Sequence, residues 1–229
     1  MEDINKVKSI SLWVFIVPFV AVNACLILIT QFHGLFLSTE DVIHNTLPYI
    51  DGGASISRTA RVFPTYLIFK PAMFLTSYLL IKYWLWNKNI INHFQGETKH
   101  INKIIFFGIG SAILLTVHSI FLGIKFDYDL YKLFRRVVML FFIVFEIIAQ
   151  AYLVFILYKL KEKIKDYINF KFLVAKRILV SLLIIVAIIS IPIVSMEGNK
   201  ALKHALEWDY FLGVIFFYCL TFFMWRKTI

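Results

Sequence analysis

Residues 47–86 read LPYIDGGASISRTARVFPTYLIFKPAMFLTSYLLIKYWLW. The stretch joins a turn-forming Asp51-Gly52-Gly53 to an apolar run that carries Lys70 beside Pro71. About 20 consecutive apolar residues span the hydrocarbon of a bilayer as a helix, and this run has that length. A lysine inside such a run costs about 2.5–3.5 kcal/mol on insertion scales, so it calls for a partner or a function.

The rest of the chain has the same character. Of 229 residues, 60% are hydrophobic and only 17% charged, and the mean hydropathy is +0.79, which excludes an ordinary soluble domain. The 24 Phe, 11 Tyr and 5 Trp suit lipid-facing helices and interfacial belts. The net charge of +10 would raise nucleic acid as a partner in a soluble protein. Here the lysines and arginines lie between apolar runs, where they orient helices and attract anionic lipid. Membrane lipids are therefore the expected partners, together with a membrane protein partner, and nucleic acid is not. Cys25 and Cys219 both lie within apolar runs and read as small buried hydrophobes, and no cofactor is called for.

Six apolar runs emerge, over residues 11–32, 63–86, 104–124, 137–158, 178–195 and 208–225. They predict one all-α domain over residues 1–229, a six-helix transmembrane bundle. The connections at 82–103 and 159–177 and the two termini together hold more Lys and Arg than 33–62, 125–136 and 196–206 do. That bias predicts cytoplasmic termini. The first run follows Lys6 and Lys8 like an export signal, but it continues through Leu26-Ile27-Leu28-Ile29 and is expected to remain as a helix. In the first long connection, Glu40, Asp41, His44 and Asp51 lack the tight spacing of a metal site and read as a solvated loop. The 159–177 segment interleaves lysines with Leu160, Ile164, Tyr167, Ile168 and Phe172 and is expected to lie on the cytoplasmic leaflet.

Within the runs, Lys70, Glu146, His118 and Asn23 come from four different helices and fall at similar predicted depths. Helical spacing puts Gly108, Ser111 and His118 on one stripe, Glu146 with Gln150 on another, and Glu207, Tyr218 and Thr221 on a third. Two arrangements answer the buried charges. Lys70 and Glu146 form an ion pair that fixes packing, with His118 and Asn23 as hydrogen-bonding neighbours. Alternatively, they line a cavity open to the extracytoplasmic leaflet, where Lys70 meets a phosphate or other oxyanion and Glu146 or His118 accepts a proton.

Leu47-Pro48-Tyr49-Ile50-Asp51-Gly52 resembles the Leu-Pro-x-Ile-Ser-Asp-x-Gly loop of the Frag/DRAM/Sfk family. Leu206-Glu207-Trp208 followed by Phe216-Phe217-Tyr218-Cys219-Leu220-Thr221-Phe222 resembles that family's Glu-Trp opening and aromatic last helix. The family includes the damage-regulated autophagy modulators and is similar to the Golgi factor that re-acylates lyso-GPI anchors. The serine before Asp51 and a proline after the glycines are absent, and Gln150 stands where the GPI-factor subgroup carries a histidine.

The resemblance implies six helices with cytoplasmic termini and an outer-face headgroup motif at Asp51, Gly52 and Glu207, to which the layer reading adds Asn23 and Gln150. It implies lipid, GPI-like acyl-chain remodelling, by an acyltransferase or an accessory to one. The alternative it implies is a non-catalytic membrane-organising protein of the autophagy-modulator type. Pro71 and Pro192, in the second helix of each half, keep a small-solute transporter as a third reading, which broken helices would mark. The plasma membrane is the expected location, with an endomembrane as the alternative.

Overall fold

The computed structural model describes residues 2–95, 99–124, 128–195 and 198–227. The chain forms helices α1 (Glu2–Gln31), α2 (Pro48–Asp51), α3 (Ile56–Ala60), α4 (Tyr66–Gln95), α5 (Lys99–Phe121), α6 (Asp129–Lys159), α7 (Lys161–Ile164), α8 (Phe170–Ser195) and α9 (Lys200–Met224). Among the described residues there is no β-strand; Ile168 and Trp225 make an isolated bridge. Among the described residues, five helical segments are long and apolar enough to cross a membrane: Glu2–Gln31, His100–Phe121, Asp129–Lys159, Phe170–Ser190 and Lys200–Met224. The chain is an all-helical membrane protein. α4 is as long as α1, but Lys70, Lys82 and Asn87 lower its hydropathy, and it is not among the five.

The six long helices pack as a ring in chain order. α1 lies against α4, α4 against α5, α5 against α6, α6 against α8 and α8 against α9, and α9 returns to α1. At one end, the loop end, lie the 33–62 connection, the C-terminal ends of α5 and α8 and the N-terminal ends of α6 and α9; the start of α1 and the end of α9 lie at the other. At the termini end Lys8 Nζ donates to the carbonyls of Phe222 and Trp225, at 2.6 and 2.7 Å, and so ties α1 to the C-terminus of α9. Lys163 Nζ similarly donates to Phe94 O at 3.0 Å, near the C-terminus of α4. Cations are favoured at helix C-termini, where unpaired carbonyls carry the negative end of the macrodipole.

Helices outrun their apolar runs at several ends. α6 begins at Asp129, so Lys132, Arg135 and Arg136 ride on its first turns instead of lying in a loop, while Lys125 falls outside the described residues. α8 begins at Phe170 and α9 at Lys200, well before the first apolar residues expected of them. The physical reason is shared: long charged side chains reach past the end of the hydrocarbon, so the backbone stays helical where the composition turns polar. The 159–177 segment also differs from an interfacial helix. Its Leu160, Ile164 and Ile168 are buried against the bundle, and Lys176 lies inside it.

Pro71 and Pro192 sit within α4 and α8, and both helices run on as single elements. Between α4 and α5, Gly108 permits close approach: a Cβ there would lie 2.5 Å from the ring of Trp84. Small residues at such contacts are how helices gain packing energy where lipid removes the hydrophobic drive to associate. The core thereby closes around Trp84, Tyr83, Trp208, Phe217 and Tyr218, all fully buried.

Candidate functional site

The residues singled out from the sequence gather at three separate places. The first is the loop end, where 47–60 docks on α9. Asp51 folds the loop on itself: Oδ1 accepts from Thr46 Oγ1 at 2.7 Å and from the Gly53 N–H at 2.8 Å, and Oδ2 from the Leu47 N–H at 2.8 Å. Gly52 follows in the left-handed region, φ 61°, and a Cβ there would fall 1.7 Å from Ala201 O, so α9 passes directly against the turn. His204 Nδ1 donates to Gly52 O at 2.9 Å and Trp208 Nε1 to Ala54 O at 2.8 Å. Glu207 meets the Ile56 and Ser57 N–H groups that open α3.

His204, Glu207 and Trp208 are spaced i, i+3, i+4, which places them on one helix face. The ring of Tyr49 stands 4.9 Å from that of Trp208, and its hydroxyl donates to Asn23 Oδ1 at 3.1 Å. Asn23, Asp51, Gly52 and Glu207 thus belong to one assembly. Each is spent on holding the loop: Asp51 is exposed, yet its oxygens serve its own turn. His204 carried no signal by itself; its spacing from the Glu-Trp pair was the available clue.

The second place is the C-terminal end of α5. Lys70 Nζ donates to Ile120 O at 3.2 Å and stands 5.9 Å from the Tyr66 ring, and Tyr131 donates its hydroxyl to Phe121 O at 2.9 Å. The Lys70–Glu146 ion pair, one of the two arrangements that the sequence left open, does not form. Lys70 is answered by a backbone carbonyl at a helix C-terminus, and among the described residues it has no carboxylate partner. His118, one turn back along α5, is 8% exposed, and its buried Nδ1 has no hydrogen-bond partner among the described residues. Arg135 of α6 follows Phe134, whose ring meets that of Phe121 at 5.3 Å, and its Nε is buried without an acceptor. Reading residues 125–136 as a loop concealed Arg135.

The third place is the middle of the bundle. Glu146, 1% exposed, accepts from Ser111 Oγ at 2.6 Å, from Gln150 Nε2 at 3.1 Å and from the Tyr218 hydroxyl. Gln150 Nε2 also donates to Val214 O at 3.2 Å, so this cluster ties α5, α6 and α9 together. Farther along α9, Thr221 Oγ1 is 3.3 Å from the Tyr83 hydroxyl and accepts from Lys176 Nζ at 2.8 Å. Lys176 is 0% exposed, with its ammonium 3.8 Å from the centre of the Phe217 ring. The shared layer of Lys70, Glu146, His118 and Asn23 does not form as one site. Glu146 is enclosed by donors, Asn23 serves the loop, and Lys70 and His118 stand at the end of α5.

Two consequences are measurable. Replacing Thr221 by Val takes away the oxygen that Lys176 and Tyr83 share, leaving a buried ammonium without its acceptor, and is expected to cost about 1–3 kcal/mol. Lys176→Met removes the buried charge with its need for a partner and leaves the thermal midpoint in detergent unchanged or higher. An equal loss in both variants contradicts this account. At the loop, the Gly53 N–H, then the Thr46 hydroxyl and the Leu47 N–H, hold the Asp51 carboxyl below the usual aspartate range. A lowered folded-state pKa contributes stability above the unfolded value of about 4, and that contribution is lost as pH falls through the folded value. Proteolysis within 47–60 therefore accelerates on acidification below about pH 4, and Asp51→Asn flattens that dependence. Identical pH profiles for the two proteins contradict it.

The chain matches no family model, no curated protein and no solved structure.

Proposed function

We propose that the chain is a six-span protein of the plasma membrane with both termini in the cytoplasm. It binds an anionic lipid or glycolipid headgroup at the extracytoplasmic leaflet. In this topology α4 is the sixth span: its 30 residues reach about 45 Å at 1.5 Å per residue. It is enclosed on two sides by α1 and α5, which shelter its polar groups from lipid. The loop end then faces the extracytoplasmic side, and the surplus of Lys and Arg in the other connections follows the positive-inside rule.

The observation that carries the headgroup reading is a set of cations at the loop end without carboxylate partners. Arg58, Arg61, Lys70, Arg135 and Arg136 make no ion pair among the described residues, and the pair found at that end joins Lys132 to Asp129 at 3.1 Å. Cations at a membrane surface attract anionic lipid by about 1 kcal/mol each. Beside them the outward face of α6 exposes Leu133, Phe134, Leu140 and Phe141, an apolar surface suited to acyl chains.

Of the catalytic and non-catalytic forms of this function, the non-catalytic one fits Glu146. That carboxylate is buried and already accepts from three donors, which leaves no route for it to act as a base on a lipid. Support for acyl-chain remodelling then means organising or presenting a lipid to a partner membrane enzyme.

The test is lipid analysis after reconstitution into bilayers of phosphatidylglycerol and a neutral galactosyl diacylglycerol with the same chains. The protein is expected to retain phosphatidylglycerol preferentially, less so in high salt, and to leave both lipids chemically unchanged. Equal retention contradicts headgroup binding. A new lipid species formed by the purified protein contradicts the non-catalytic form.

A further inference from the structure

Arg135 and His118 present a problem that their surroundings do not solve. A buried N–H without an acceptor costs about 1–3 kcal/mol, and such groups in native proteins call for an explanation. These two lie on packed helices near one end of the bundle, where the rings of Phe121 and Phe134, neighbours of the pair on α5 and α6, meet at 5.3 Å. They do not satisfy each other: neither His118 Nδ1 nor Arg135 Nε has a hydrogen-bond partner among the described residues. Three acceptors at this end of the bundle are already engaged: Ile120 O by Lys70, Phe121 O by Tyr131, and Asp129 by Lys132. Among the described residues no acceptor takes both, and a negatively charged group from outside the chain would.

We infer that the α5–α6 seam is a seat for a phosphoryl oxyanion, gripped by Arg135 and His118 and carried by a lipid headgroup. The guanidinium supplies a planar fork that matches two phosphoryl oxygens. His118, 8% exposed, supplies a donor fixed in place by the helix around it. Lys70, with one N–H on Ile120 O, adds positive charge at the same helix end. Free phosphate shares this chemistry. The exposed apolar side chains of α6 beside Arg135, Phe134 among them, favour the lipid-borne ester, whose chains would lie along that face. The inference rests on the headgroup reading above and narrows it from a basic rim to one pair of residues.

Native mass spectrometry of the full chain, released from detergent with either phosphatidylglycerol or the galactosyl diacylglycerol, tests it. Wild type is expected to prefer phosphatidylglycerol about tenfold, and Arg135→Gln and His118→Leu each to lose most of that preference, as removal of a charge-assisted hydrogen bond implies. Arg135→Lys keeps the charge without the fork and recovers only part of it. Thermal midpoints without lipid check that each variant is folded. If wild type prefers phosphatidylglycerol and both variants match it, the seat is overturned while rim binding of headgroups stands. No preference in wild type overturns both. Inorganic phosphate is the second probe: a midpoint raised over equal chloride in wild type, but not in Arg135→Gln, would make free phosphate the ligand and overturn the lipid assignment.

Discussion

Hydrocarbon offers no water to a polar group, so each one inside the bundle must find its partner in the protein or in a ligand. That constraint organises this chain more than any single contact. Glu146 meets it with three donors from three side chains, Lys176 with Thr221 and the face of Phe217, and Lys70 with a carbonyl at the end of α5. Against this background the exceptions carry information. Trp84 Nε1 and Gln150 Oε1 also lack partners, but His118 Nδ1 and Arg135 Nε do so at the same end of the bundle, where other cations also lack carboxylates.

Lysines at helix C-termini recur through the structure. Lys8 serves α9, Lys163 serves α4 and Lys70 serves α5, each placing an ammonium against carbonyls that the helix itself cannot satisfy. Each bond also joins two segments distant in sequence, so one device both neutralises a helix end and closes the ring. The loop end uses different chemistry for the same purpose. Three side chains from one face of α9 take up backbone groups of 52–57, and Gly52 allows the two to touch. A rigid loop platform results beside the free cations, and rigidity there favours selective recognition over loose attraction.

The apolar runs made the all-helical membrane character legible, because length and hydropathy depend on composition alone. Helix ends were less legible. At 129–136, 170–177 and 200–207 charged residues imitate loops, yet their long side chains let the helix continue, and with it Arg135 and Lys176 enter the bundle. The need of Lys70 for a partner could be read from its position. The identity of that partner could not, since a backbone carbonyl leaves no mark in the sequence. Glu146 with Gln150 could be paired by their spacing, and the structure joins them at 3.1 Å. Their bonds to Ser111 and Tyr218 needed the ring order of α5, α6 and α9, which spacing within one helix does not reveal. Asp51, Gly52 and Glu207 were legible as a motif, and their structural task, docking a loop, was not.

The central claim is that an acceptor from outside the chain completes Arg135 and His118. The most direct measurement is an electron cryomicroscopy map of the protein in nanodiscs containing phosphatidylglycerol, at a resolution that shows headgroups. The account predicts phosphoryl density within hydrogen-bonding distance of Arg135 Nε and the His118 ring, with chain density running along Phe134 and its apolar neighbours on α6. Acyl density alone against the α5–α6 seam, or a protein carboxylate or carbonyl turned in to take both donors, would contradict it.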